Sequence, residues 1–416
     1  MNKLYEIIVR LPILFKNSKK WLAIITRKSG RWLLTRAGFI IPLADTRKND
    51  AAKDKNLLYV AVLLPSGLGN ALISFAWVQK FLRDVPSKIC IDLYAPSHLA
   101  KYLCTDISFV DTIYNKALFP ITTGYDLKLR LSHFVEVASF NMANISFVSS
   151  QLAETISKWF LFSQTHGKYI KRAPQYDGAW AKLCGLMGWN RWSELGASGG
   201  LAFSEQDIGL LPVPKNENEI LRHLKLAAGQ YITVHTGASA KPSQRQTKNW
   251  PLSHWEKFCS LLKEQRPDIL LVQIGTADNH NIRGVDLNLS GKTTLESLAV
   301  VLKNARLHVD EDSGLVQMRH LLHGKSVVLF GPTVAAYTGL PGNVNLVSPI
   351  CSGCLGLEND WKDKCVLRYE TSRSCLEALP PSLVAKEVFK CLNVGFHQGN
   401  QGIKPEAGFS QGVQNG

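Results

Sequence analysis

Short apolar runs recur along this chain in two series, each run followed by a turn of small residues and then by residues spaced for a helix. The first series opens with Leu57–Leu64 and a helix through Ser74–Leu82. It continues with a strand at Ile89–Tyr94, a short helix near His98–Leu103 and a strand at Val110–Tyr114. The second begins at Tyr231–His235 and alternates through Ser253–Gln265, Ile269–Ile274, Leu295–Asn304, Leu307–Val309, Leu315–Leu322 and Ser326–Phe330. Near-continuous apolar strands joined by helix-length crossovers suit parallel sheets covered on both faces. The expected fold class is therefore α/β, with two Rossmann-like, doubly wound domains at 57–225 and 226–392, and 416 residues are ample for both. Ligands of such sheets bind beyond the carboxyl ends of the strands, so two facing halves place the site in the cleft between them. The section from 121 to 200 shows no clear pattern, although Trp180, Trp189 and Trp192 cluster late in it around Gly185 and Gly188.

Charge separates the start of the chain from its body. The formal charge is +15, and residues 1–56 hold 13 Lys/Arg against four Asp/Glu, a net of +9. Basic residues interrupt every apolar stretch there, so neither a spanning helix of ~18 residues nor a secretory signal is expected. Two arrangements suit this helical extension: a peripheral helix on anionic lipid, with Trp21 and Trp32 in the interface, or an arm packed on the body. The polar stretch 45–56 reads as a linker. The Gly/Gln/Asn-rich residues 393–416 read as a disordered tail. Without a Cys/His finger, an RNP-like strand or an aromatic-basic stripe, nucleic acid is not an expected partner.

The strand ends carry the candidate chemistry. Pro65-Ser66-Gly67-Leu68-Gly69-Asn70 follows the first apolar run, and His235-Thr236-Gly237-Ala238-Ser239 follows the strand ending at Val234. Small residues let backbone N–H groups approach a ligand, and Lys248 adds a point charge suited to phosphate. Asp278 follows the next strand, where a carboxylate accepts ribose hydroxyls. Asp310-Glu311-Asp312-Ser313-Gly314 opens a helix whose first N–H groups suit an anion, with Asp312 or Ser313 as the alternative of a plain N-cap. Phe330-Gly331-Pro332-Thr333 is the fourth such turn. Together they converge on a nucleotide-diphosphate pocket.

The order of these motifs resembles the glycosyltransferase family 9 heptosyltransferases. The resemblance rests on Gly67-Leu68-Gly69, Val110-Asp111-Thr112-Ile113, the block His235-Thr236-Gly237-Ala238-Ser239 through Lys248-Asn249-Trp250-Pro251 to His254-Trp255, Leu289-Ser290-Gly291-Lys292-Thr293-Thr294-Leu295, Asp312-Ser313-Gly314 and Leu329-Phe330-Gly331-Pro332-Thr333. It implies a GT-B fold and an inverting, metal-independent transfer of heptose from ADP-heptose to a lipopolysaccharide core, another saccharide or, in some members, protein. It further implies a cytoplasmic enzyme on the inner face of the inner membrane. Thr236, Gly237, Ser239, Lys248, Asp278, Asp312, Ser313, Gly314 and Gln317 are then expected on the donor, and Gly67, Gly69, Lys168, Lys171 and Arg172 on a phosphorylated acceptor. Lys168, Lys171 and Arg172 equally suit a solvated surface run.

Two positions depart from the family pattern. Members commonly carry Asp, the catalytic base, where Asn70 stands, and His where Gln317 stands. A carboxylate takes a proton from a hydroxyl, whereas an amide only orients it. The alternatives are a changed acceptor, a base elsewhere, or a homologue that binds a sugar nucleotide without turnover.

Cysteines suggest a second site. Cys90, Cys104, Cys184, Cys259 and Cys391 sit among apolar neighbours as core residues. Cys351-x2-Cys354-x10-Cys365-x9-Cys375 suits a structural tetrathiolate for zinc or iron, with reduced thiols or disulfides as the alternatives. No cofactor is expected in catalysis.

Overall fold

The computed structural model describes residues 40–42, 57–85, 88–103, 110–121, 124–167, 174–237, 246–358, 360–365, 367 and 375–393. The N-terminal extension up to residue 39, for which a lipid-bound helix or a packed arm was expected, the linker, the tail beyond Asn393, and Ser239, Lys168, Lys171 and Arg172 lie outside the described residues.

In chain order the first half holds β1 (Ile40–Pro42), β2 (Leu58–Leu63), α1 (Leu68–Asp84), β3 (Ile89–Ala95), α2 (Ser97–Leu103), β4 (Thr112–Asn115), β5 (Leu127–Leu131), β6 (Val135–Phe140), α3 (Met142–Val148), α4 (Ser150–His166) and α5 (Pro174–Leu186). Its sheet runs β1-β4-β3-β2-β5-β6. The four inner strands are parallel, and β1 and β6 close the edges antiparallel to β4 and β5. Both antiparallel edges depart from the expected wholly parallel sheet. Pairing of Ile40 with Tyr114 and Pro42 with Thr112 also puts part of the presumed extension in the first domain. The hairpin β5–β6 lies in the section that showed no pattern, although Leu127-Lys128-Leu129-Arg130-Leu131 alternates as a half-buried strand does, Leu127, Leu129 and Leu131 inward.

The second half follows with α6 (Glu217–His223), β7 (Tyr231–His235), α7 (Leu252–Gln265), β8 (Leu270–Ile274), β9 (Leu287–Asn288), α8 (Leu295–Asn304), β10 (Leu307–Glu311), α9 (Gly314–Leu321), β11 (Ser326–Phe330), α10 (Ala335–Thr338), β12 (Val344–Val347) and α11 (Pro381–Asn393). Its sheet, β12-β11-β10-β7-β8-β9, is parallel throughout. Every residue of β7, β10 and β11 is buried, as expected of central strands covered by helices on both faces, and in β10 this includes His308, Asp310 and Glu311.

One apolar core crosses the two halves. It joins Leu72, Phe75 and Trp77 of α1 to Leu298, Leu315 and Met318 of α8 and α9. A smaller cluster sets Phe134 and Trp180 against Tyr337. The halves thus face each other as the GT-B arrangement requires, with the carboxyl ends of β2 and β7 toward one cleft. No helix among the described residues is long and apolar enough to cross a membrane.

Candidate active site

A cavity of about 930 Å³ opens between the halves. Its first-half wall is the turn from Pro65 to Asn70, with Ser132, His133 and Arg191 beside it. Gly67 caps α1 with no side-chain hydrogen bond, so the first turn of that helix presents backbone N–H groups at the cleft. On the second-half wall, Thr293 and Thr294 precede α8 and Asp312 and Ser313 precede α9. Three helix N-termini therefore meet one cavity, and each carries partial positive charge. Lys248 reinforces them. Its Nζ donates to the Asp312 carbonyl at 3.1 Å and lies 3.5 Å from the Asp312 carboxylate.

Glycines shape this wall where backbone must turn or approach. Gly237 and Gly275 hold φ of +83° and +141°, which side-chain-bearing residues rarely adopt, at the ends of β7 and β8. Gly69 and Gly314 have another reason. A Cβ on Gly314 would lie 2.8 Å from the Gly69 nitrogen, and one on Gly69 would lie 3.1 Å from the Gly314 Cα. The turns of the first-half and second-half walls therefore touch each other.

Beneath the second-half wall lies a buried charge network. His235 Nδ1 is 2.8 Å from Asp310 Oδ1, His308 Nε2 is 3.2 Å from Asp310 Oδ2, and the Ser313 hydroxyl donates to the same carboxylate. Burial lowers the proton affinity of His235, but the Asp310 charge and hydrogen bond outweigh it and raise its pKa. Burial opposes ionisation of Asp310 too, yet the two imidazoles hold its carboxyl below the usual range. Glu311 accepts from the N–H of Gly237 at 3.0 Å and of Trp250 at 2.8 Å. Burial first, and then the Asp310 charge, push its pKa up to about 7. Of the three consecutive acids, only Asp312 faces the cleft, because Asp310 and Glu311 still belong to the central strand β10.

On the first-half wall, Asn70 Oδ1 accepts from Arg191 Nε at 3.1 Å. Arg191 also donates to the Ser132 carbonyl at 3.2 Å and forms an ion pair with Glu194. Glu194 is fully buried, and its other oxygen accepts from Trp180 Nε1 at 2.5 Å and the Tyr337 hydroxyl at 2.6 Å.

The expected donor residues divide between two cavities. Gly237, Lys248, Asp312, Ser313, Gly314 and Gln317 line the cleft, whereas Thr236 and Asp278 line a small neighbouring cavity of about 40 Å³. Asn279, next to Asp278, does reach the cleft. Gln317 is engaged structurally: its Oε1 accepts from Trp192 Nε1 at 2.9 Å, pinning the first half to α9.

Residues 210–365 match the model of the glycosyltransferase family 9 (heptosyltransferase) domain. The likeness to this family is carried by that segment. Over 112 residues the chain is 29% identical to Lipooligosaccharide heptosyltransferase 2 of Haemophilus influenzae. That alignment covers 24% of this chain and 31% of the curated relative, so the matched part spans less than a third of its length. In fold, the chain is similar to a glycosyl transferase family 9 protein from Veillonella parvula, at 14% identity and TM-score 0.50, covering 80% of this chain and 97% of that one. It is likewise similar to the iron-containing dodecameric glycosyltransferase TibC from enterotoxigenic E. coli, at 15% identity and TM-score 0.50, covering 83% and 80% of the two chains.

The family 9 segment supplies the donor wall and three of the four clustered cysteines. Cys351, Cys354, Cys365 and Cys375 border one cavity of about 200 Å³. All four are free thiols; burial raises the pKa of Cys351 and Cys354 and pushes that of Cys375 up to about 12. The thiols converge in kind, but among the described residues no three His, Cys, Asp or Glu side chains stand at metal-holding geometry. His133, Arg191 and Glu194 lie outside the family 9 segment and had no signal in the sequence, being single residues in the section without periodicity.

Proposed function

We propose that this protein is an inverting glycosyltransferase that moves heptose, or a related sugar, from a nucleotide-diphosphate donor such as ADP-heptose to a lipopolysaccharide core or other saccharide. The observation that carries this reading is the convergence of three helix N-termini and Lys248 on one cleft. Such an array suits a diphosphate in the ground state and gains more as the leaving group takes on charge. Asn279 and the small residues of the β8 turn lie where the nucleoside would rest. Asn70 and Arg191, opposite, suit orientation of the acceptor hydroxyl.

Replacing Lys248 with Ala is expected to raise the donor Kd roughly 10- to 100-fold, as loss of a hydrogen bond to a charged group does. Calorimetry with ADP-heptose reads this, and unchanged affinity contradicts the pocket assignment. The transfer itself is read as ADP release from ADP-heptose, with and without heptose-deficient lipopolysaccharide. Asn70 in place of a carboxylate favours a second reading, a homologue that binds the sugar nucleotide without turnover; tight donor binding with no acceptor-dependent release selects it. Dependence of release on a protein acceptor would instead select transfer to protein.

The four-cysteine loop is proposed as a structural site for zinc or iron, held by Cys351, Cys354, Cys365 and Cys375. Their shared cavity supports this, as does the likeness in fold to an iron-containing glycosyltransferase. A bound ion would brace the loop against Thr247 and Pro332 and takes no part in the transfer. About one equivalent of metal is expected by elemental analysis of protein purified at neutral pH, falling to background in Cys354→Ser; a metal-free unaltered protein rejects the site.

A further inference from the structure

Asn70 stands in the first turn of α1, is exposed and lines the cleft. Its Oδ1 accepts from Arg191 Nε at 3.1 Å. An arginine N–H only donates, so the amide oxygen has to face the guanidinium and the amide nitrogen has to turn from it. Arg191 is itself fixed, with 8% of its side chain exposed, by an ion pair with buried Glu194 and by the Ser132 carbonyl. The Nδ2 of Asn70 makes no hydrogen bond to any of the described residues. Its N–H groups are therefore what position 70 offers a ligand in the cleft.

The charges around this amide suit an anion. Asp312 is the one carboxylate among the described residues lining the cleft, and it faces Lys248 on the second-half wall. Glu194 already balances Arg191, so the pair adds no net charge. The first turn of α1 has no acidic residue and no side-chain cap, so its N–H groups keep their partial positive charge. At the rim, exposed Lys116 donates from Nζ to the hydroxyl of cleft-lining Ser66 at 2.5 Å and has no carboxylate partner among the described residues.

From this geometry we infer that Asn70 is a specificity-determining hydrogen-bond donor, which holds an anionic oxygen of the acceptor, a phosphate or a carboxylate, with Lys116 adding attraction at the rim. The amide then selects the acceptor and is not a lost base. A carboxylate at position 70 would keep one oxygen on Arg191 and turn the other toward the anion. Its charge would stand against that anion unbalanced, because Arg191 is already paired with Glu194. This inference rests on the proposed reading of the first-half wall as the acceptor side.

The test is calorimetric binding of the delipidated core saccharide of heptose-deficient lipopolysaccharide, with ADP-heptose binding measured beside it. Asn70→Ala is expected to raise the saccharide Kd roughly 10-fold, as loss of a hydrogen bond to a charged group does, and Asn70→Asp roughly 100-fold, because like charge is added to that loss. The ADP-heptose Kd should be unchanged in both, which also shows that they fold. Lys116→Gln should weaken saccharide binding and lessen its dependence on salt. Saccharide freed of phosphate, and saccharide with its carboxyls reduced, separate the two sources: the treatment that makes binding insensitive to Asn70→Asp identifies the group. Saccharide bound by Asn70→Asp as tightly as by the unaltered protein overturns the assignment alone. So does an undiminished effect of Asn70→Asp on saccharide stripped of both groups, or acceptor-dependent ADP release that rises in Asn70→Asp, the mark of a lost base. ADP-heptose binding without saccharide binding in the unaltered protein overturns the acceptor reading, and this assignment with it.

Discussion

Asp310 and Glu311 are adjacent in sequence and both buried, yet their pKa values are shifted in opposite directions, because their partners differ. Asp310 faces two imidazoles, whereas Glu311 has N–H donors and the Asp310 charge beside it. The signs of linkage follow. Asp310, with its folded pKa depressed, contributes stability present above pH 3.8 and lost on acidification below it. His235, raised, contributes stability fully present below pH 6.5 and lost as the pH climbs above that value. Glu311, raised from 4.5 to about 7, binds more protons folded than unfolded across that window, so stability falls as the pH rises through it. Buried His308 and His320, whose pKa values are lowered, act in the opposite sense below pH 6.5. Between pH 4.5 and 7 the Tm of the unaltered protein is therefore expected to fall with rising pH relative to that of Glu311→Gln, because the titrating group is gone from the variant. Scanning calorimetry across pH checks this; parallel Tm profiles for the two proteins contradict the assignment. The sequence presented Asp310, Glu311 and Asp312 as three equivalent acids at a helix start, and only the position of β10 in the sheet separates them.

The elements that matter most are α1 and α9, one from each half, which approach through Gly69 and Gly314. Neither glycine has a positive φ, so the requirement is space rather than backbone conformation. Gly314→Ala places a methyl 2.8 Å from a backbone nitrogen, and the two helices must separate to admit it. A loss of ~1–3 kcal/mol of stability is expected from such overpacking, with weaker nucleotide-sugar binding because the two walls move apart. Urea denaturation and calorimetry measure the two effects, and a variant unchanged in both argues against this contact. Sequence motifs identified both turns as ligand-facing. They carried no indication that the turns also pack on each other, since nothing in spacing reports a contact across about 245 positions.

For the whole molecule, legibility followed locality. Strands β7, β8, β10 and β11 and the helix Leu295–Asn304 were readable because apolar runs and helical spacing are local patterns that burial in a parallel sheet imposes directly, whereas the short edge strands β9 and β12 were not read. The two antiparallel edges were not, since β1 is three residues long and β5–β6 is a hairpin with an irregular register at Lys128/Leu129. The donor wall was largely legible for the same reason of locality: it is built from strand-end turns, and a parallel sheet sends all of them to one side. By itself, then, the sequence determined two α/β halves, a cleft between them and most of the second-half turns that line it. Only the tertiary structure decided the acceptor wall, where Asn70, His133, Arg191 and Glu194 come together from segments up to 124 residues apart. It also decided which acids are buried and which face the ligand. A charge acquires its role from what surrounds it, and those surroundings are set by burial and long-range contact rather than by neighbours along the chain.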